Sequence, residues 1–596
     1  MSSRVRLAHA FSLLLAAASF VFAADEPAWI VKSNENARLL VDVIASQSPE
    51  TATRLGATGY DEQIADLAPG SDARRRERYT SARDELVRRA RVEGDPRVHE
   101  DLEILIKAAN DQLESDALSE RLLLPYVDVA RLIFYGESGL LDDQVAANRR
   151  PAALARLRRY AGLEPGTQPI TVLAEERYRE RTADPARLAP FKGEVEKSLA
   201  SLPRYAAGIR QLYARFGIDH LDGAGAALDL LDHQLQAHAD WVRANVLAHA
   251  RADFRLPPEL YADNLKNIGL DISPEELIAK AQVAFAEIRN EMQAVAVLVA
   301  QEHGFADTDY RAVIHALKKD QLTPADVEPY YHGVIAQLQD LIRREKIVTL
   351  PERPLRMRLA SAAETAAQPA PHFQPPPLID GHGEQGVFIL TTGNPAGSGD
   401  AAASDTYDDF TFKAAAWTLT AHEGRPGHDL QFAAMAERGI SQARSIFAFN
   451  SVNVEGWALY AEAEMRPYEP LDGQLIALQL RLLRAARAIL DPMLNLGRIT
   501  PERAHEILTH DVCLSDAFAR SEVERYTFNA PGQATAYFYG YTRLMELRTQ
   551  TELSLGAKFD HQAFNDFILD QGLLPPALLA KAVREEFIPA QMQKAG

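Results

Sequence analysis

The chain has 596 residues, is 47% hydrophobic and 25% charged, and carries a formal net charge of −19. That is an ordinary soluble composition with room for more than one core, and it lacks the basic excess that a nucleic-acid binder needs. A single cysteine, Cys513, excludes an intramolecular disulfide framework and leaves histidines and carboxylates as the ligand types for any metal.

Residues 1–24 read as a secretory signal. Arg4 and Arg6 precede the apolar run 10–17, and Val21-Phe22-Ala23 forms a small-residue cleavage site. That run is too short to span a bilayer, and no later segment is long enough. A periplasmic or secreted protein without stable membrane insertion is expected, and loss of the two arginines takes its charge to −21. Residues 25–260 are predicted to form an N-terminal helical region, one wall of a cleft, with amphipathic helices over 98–113, 122–134 and 193–216. Residues 261–596 are predicted to form the catalytic domain, opening with helices over 274–304 and 324–344. The proline-rich stretch 366–383 cannot be helix interior and reads as a connection. Residues 386–392 are apolar and β-favouring, hence a strand; the Gly/Ala/Ser-rich stretch 393–405 reads as a lid or a simple connection.

Next comes Ala421-His422-Glu423-Gly424-Arg425-Pro426-Gly427-His428, a stretched form of the His-Glu-x-x-His zinc signature. Six positions separate the histidines. In a regular helix that leaves the rings about 240° apart, too far round to share an ion. Pro426 and Gly427 predict a break that returns His428 to His422. A third ligand is expected from the buried helix over 453–464: Glu455 in its first turn, with Glu462 two turns later on the same face and suited to orienting a ligand histidine. Glu464 reads as solvated helix surface. Cys513 reads as a packed hydrophobe rather than a nucleophile.

The His-Glu-x-x-Pro-Gly-His run followed by Glu455-Gly456-Trp457-Ala458-Leu459-Tyr460-Ala461-Glu462 resembles the bacterial domain-of-unknown-function 885 family, itself distantly similar to gluzincin metallopeptidases of the thimet-oligopeptidase and Taq-carboxypeptidase type. Ser273-Pro274-Glu275-Glu276-Leu277, Glu522-Val523-Glu524-Arg525-Tyr526, Pro531-Gly532-Gln533-Ala534, Ala536-Tyr537 and Leu547-Arg548 extend the resemblance from about residue 250 to the C-terminus. Departures are Gly424-Arg425 at the variable pair, the aromatic run Phe538-Tyr539-Gly540-Tyr541, and a Pro531 one position late. The resemblance implies a mostly α, large zincin-like fold with a deep cleft, a small β-sheet beside the metal site and one Zn²⁺ per chain. In such folds an edge strand beside the metal pairs with an extended peptide, a part that would fall to 386–392. The resemblance also implies a distant oxyanion donor: Tyr537, with Tyr539 and Tyr541 as competitors, Tyr541 also being a candidate substrate contact.

Arg525 would clamp a substrate carboxylate or pair internally with Glu522. The expected function is that of a zinc-dependent peptidase, a carboxypeptidase or oligopeptidase. Its ion is held by His422, His428 and Glu455, with Glu423 as general base. The alternatives are a zinc hydrolase of a non-peptide amide or ester, and a non-catalytic metal-containing binding protein.

Overall fold

In the computed structural model, which describes residues 27–594 apart from 183, 185, 380, 382 and 393–406, proline and glycine decide where helices start and stop. The signal segment and the 393–405 loop therefore lie outside the described residues. Pro96 opens the helix Pro96–Leu122, and Asp95 caps it by accepting the Arg97 N–H at 2.9 Å. Lys192–Phe216 stops at Gly217, which is left-handed. Helix α1, Pro274–His303, begins at the Ser273 cap and ends at left-handed Gly304. The predicted helix over 324–344 forms as Val327–Glu345. The predicted helix over 122–134 does not form. Pro125 pushes its predecessor into extended backbone, and a separate helix, Val129–Ser138, starts afresh at Asp128, whose carboxylate accepts the Arg131 N–H.

The N-terminal helices bury Ile133, Leu157, Tyr213 and Leu231 in a core of their own. A larger core is built almost entirely from residues beyond Tyr261, with Ile104 reaching into it. The larger core takes in Met357, Phe388 and Leu390 of a three-stranded sheet of β1 (Arg356–Leu359), β2 (His372–Gln374) and β3 (Val387–Leu390), in the order β1-β3-β2. β3 is the strand expected from the sequence, but it is not an edge. It pairs in parallel with β1 and antiparallel with β2, Phe388 facing Met357 and Phe373 in register. Its four apolar residues are all buried, as suits a central strand. The two edges are β1 and β2, and β2 lies inside the stretch read as a connection.

Five further helices and a long partner build the site: α2 (Ala415–Glu423), α3 (His428–Arg438), α4 (Ser451–Met465), α5 (Leu471–Asn495), α6 (Asp516–Glu524) and α7 (Ala536–Leu555). α5 packs along α1, and α4 along α7. The α4–α7 crossing depends on two glycines. A Cβ on Gly540 would sit 2.0 Å from the Val452 carbonyl oxygen, and one on Gly456 would sit 2.6 Å from the Gly540 carbonyl carbon. Glu455 adjoins the first glycine and Tyr537 lies one turn before the second, so this close approach brings both side chains to one place. Gly540→Ala is expected to destabilise the protein by about 1–3 kcal/mol through overpacking. A thermal melt checks this, and an unchanged midpoint would show that the crossing relaxes freely.

Candidate metal centre

α2 ends at Glu423 and α3 begins at His428, so the break predicted at Pro426-Gly427 is present. The chain turns sharply through Gly424 and Gly427. Gly427 lies so close to the end of α2 that a Cβ there would be 2.0 Å from the His422 carbonyl oxygen and 2.4 Å from that of Ala421. Trp457 of α4 donates its indole N–H to the Pro426 carbonyl at 2.9 Å, and the buried pair Arg425–Asp429, 2.8 Å apart, closes the turn from the other side. As a result the two imidazoles, which a straight helix would send apart, have ring centroids 4.8 Å apart and nearly perpendicular planes.

Glu455 completes the cluster. Its Oε2 lies 3.6 Å from His422 Nε2 and 3.5 Å from His428 Nε2. These distances are too long for hydrogen bonds, and that oxygen is shut away from solvent with no hydrogen-bond partner. A buried acceptor left unmatched is costly. Donors bound tetrahedrally at about 2.1 Å from one ion stand about 3.4 Å from each other, so the two separations of Glu455 from the histidines are those of ligands sharing a small divalent cation. Glu423 Oε1 is 3.9 Å from His422 Nε2, and donor atoms of His422, Glu423 and His428 all lie within 4.8 Å of one another. Burial pushes the Glu423 carboxyl up to about 8, with neighbouring Glu455 adding to the effect against His428. Burial also acts on Glu455, but His422 and His428 outweigh it and hold that carboxyl well below its usual range.

Glu462 stands where the sequence placed it, behind His422. Its Oε1 is 2.7 Å from His422 Nδ1 and also receives Arg484 at 3.1 Å, while Thr418 donates to Oε2 at 3.0 Å. A proton on Nδ1 fixes the tautomer and leaves the Nε2 lone pair facing Glu455. Glu462→Gln is expected to weaken metal affinity about 10–100-fold, as read by competition with a chelator; unchanged affinity would remove the orienting role. Glu464 is not solvated surface. It is paired with Arg548 and His561, because α4 is packed on both sides this far along.

Of the three tyrosines, only Tyr537 reaches the centre. Its ring lies parallel to that of His422 at 6.2 Å and under the Arg487 guanidinium at 4.5 Å. Arg525 donates to its hydroxyl oxygen at 2.8 Å. Arg525 can only donate, so the Tyr537 O–H proton stays uncommitted. Tyr539 bonds Asp271 instead. Tyr541 packs under Arg481, one turn before Arg484 on α5, and does not line the cavity. Arg525 lies 3.5 Å from Glu522, but that carboxylate is held by Arg487 through two bonds of 2.6 and 2.7 Å and is lowered to about 2, burial notwithstanding.

A cavity of about 450 Å³ opens onto His422, Glu423 and Glu455. Arg484 and Arg487, absent from the sequence reading, line it, as does Gln533, which the sequence reading places only in the Pro531-Gly532-Gln533-Ala534 motif and which donates to Glu455 Oε1 at 3.4 Å. Ala370 and Pro371, from the stretch read as a connection, line it too, as do Tyr126, Arg131 and Tyr205 from the N-terminal region. Arginines one turn apart on a long helix carry no local signal of such a role. No helix among the described residues is long and apolar enough to cross a membrane.

The family described as "Bacterial protein of unknown function (DUF885)" matches residues 49–583. Two solved structures share the fold. One is a protein described as a "putative lipoprotein from Colwellia psychrerythraea", with a TM-score of 0.76 and 18% identity over 94% of this chain and 99% of that one. The other, a "putative lipoprotein of unknown function from Shewanella oneidensis", has a TM-score of 0.66 and 19% identity over 94% and 100% of the respective chains. No curated protein matches.

Proposed function

The chain belongs to the bacterial DUF885 family, and on that premise we propose that it is an extracytoplasmic zinc-dependent peptidase of the carboxypeptidase or oligopeptidase kind. The observation that carries this reading is the convergence of His422 Nε2, His428 Nε2 and the otherwise unmatched Glu455 Oε2, with Glu423 beside them. A chain that only stored metal would have no need of a fourth, basic group. The secretory signal read at 1–24, and the description of both structural relatives as lipoproteins, support the location.

A bound zinc ion would supply Lewis acidity and make a water ionisable near neutral pH. The chain's own residues do the rest. Glu423 accepts a proton from the attacking water and returns it to the leaving nitrogen. Tyr537 donates its uncommitted O–H to the oxyanion that develops on the scissile carbonyl, while Arg525 holds the phenol oxygen in place. Glu462 keeps His422 in the tautomer that offers Nε2. Arg525 and Arg484, whose Nε has no partner, give the cavity positive charge for a peptide carboxylate. The N-terminal region supplies the opposite wall of the cleft.

The test is mass spectrometry of a mixed peptide pool after incubation with the zinc-loaded protein. Trimmed peptides support the reading, and the ends removed separate carboxypeptidase from oligopeptidase cleavage. An unchanged pool would overturn it in favour of a non-peptide amide or ester, or of a binding role.

A further inference from the structure

Gln533 stands between two parts of the centre that the sequence keeps far apart. Its Nε2 donates to Glu455 Oε1 at 3.4 Å, which leaves Oε2 as the Glu455 oxygen with no partner, facing both histidines. Its Oε1 accepts from Arg525 Nη2, and that same nitrogen donates to the Tyr537 hydroxyl oxygen at 2.8 Å. One unbroken run of bonds therefore joins the expected metal ligand to the expected oxyanion donor, in the order Glu455, Gln533, Arg525, Tyr537.

The chemistry of the two neighbours selects a carboxamide. Arg525 can only donate, and Glu455, held ionised by His422 and His428, can only accept. The group between them must accept at one end and donate at the other. An ionised carboxylate would set a second anion against Glu455, an ammonium would offer Arg525 no acceptor, and an apolar side chain would satisfy neither. The same requirement settles which way the amide points. Turned over, its N–H groups would meet those of Arg525 and its oxygen would meet the carboxylate.

The backbone beneath this amide is tied down. Gly532, left-handed at φ 93°, gives its N–H to both oxygens of the buried Asp491 at 2.9 Å each, and Asp491 also accepts the Tyr261 hydroxyl at 3.0 Å. Asn264 donates to the Pro531 carbonyl at 3.1 Å, and the Thr535 hydroxyl to that of Gly532 at 2.7 Å. The turn Gln533–Thr535 runs directly into α7, so Gln533 and Tyr537 stand four residues apart on one face.

We propose that Gln533 is a positioning residue with two tasks. It presents Glu455 to the metal through Oε2 alone, and it sets Arg525, and through Arg525 the Tyr537 hydroxyl, relative to that metal. The first task rests on the metal site of the proposed function and the second on its oxyanion step.

The test compares wild type with Gln533→Met, which keeps the length of the side chain and loses both bonds, and with Tyr537→Phe. Zinc affinity, read by competition with a chelator, reports the first task without turnover. Gln533→Met should weaken it about tenfold, the low end for a group that orients a metal ligand, while Tyr537→Phe leaves it unchanged. Peptide trimming at saturating zinc reports the second. Tyr537→Phe should lower kcat about 10²-fold, and the double variant should lose about as much as Tyr537→Phe alone, because both changes act through one hydroxyl. Gln533→Ala serves as a second variant should Gln533→Met fold poorly, as read by a thermal melt. Wild-type zinc affinity in the Gln533 variant, or kcat losses that multiply in the double variant, would overturn the inference. A wild type that binds no zinc overturns the metal reading and this inference with it. A wild type that binds zinc but trims no peptide overturns the peptidase reading and the second task, and the affinity comparison then decides the first.

Discussion

Glu423→Gln is expected to keep the metal and lose turnover by about 10²–10⁴-fold, the usual contribution of a general base. Glutamine has almost the same shape, so the buried position stays filled. It cannot take a proton. The ion's three donors, His422, His428 and Glu455, are untouched, because Glu423 stands 3.9 Å from His422 Nε2 as a neighbour of the cluster rather than its equidistant third corner. Metal content per chain and peptide trimming, measured on the same sample, check this. Full activity would rule out Glu423 as the base, and loss of metal along with activity would make it a ligand instead.

The second large effect concerns the break between α2 and α3. His428→Ala removes a donor outright and is expected to abolish both metal retention and activity. Gly427→Ala is the more telling change, since it keeps every donor. The new Cβ would fall 2.0 Å from the His422 carbonyl oxygen and 2.4 Å from that of Ala421, both backbone atoms that cannot swing aside. The turn must open, and His428 at the head of α3 moves with it. Metal affinity is expected to fall at least as far as in Glu462→Gln, with helical content retained. Wild-type affinity in Gly427→Ala would mean that tight packing at this turn does not place His428.

The sequence alone determined the parts of the centre that depend on short-range geometry. A step of six positions from one histidine to the next is incompatible with one straight helix, so Pro426 and Gly427 had to mark a break, and they do. A step of seven positions from Glu455 to Glu462 is two turns of unbroken helix, so both carboxylates point the same way, one to each side of His422. Cap residues such as Ser273 and left-handed glycines such as Gly304 likewise act over one turn and fixed the ends of α1.

Tertiary structure decided the rest, because the deciding neighbours are far away in the chain. Tyr537, Tyr539 and Tyr541 look alike at period two, but on a helix alternate residues point about 200° apart. Tyr539 thus turns to Asp271, and Tyr541, one turn beyond Tyr537, meets Arg481 instead of Arg484 and Arg487. β3 read correctly as a strand, but whether a strand is central or an edge depends on which partners arrive, and β2 came from a proline-rich stretch with no strand signal. The cavity at the metal centre is lined by segments hundreds of residues apart. Arg484 and Arg487 have no motif around them. The unmatched oxygen of Glu455 becomes visible only once folding has shut out the water that would otherwise satisfy it.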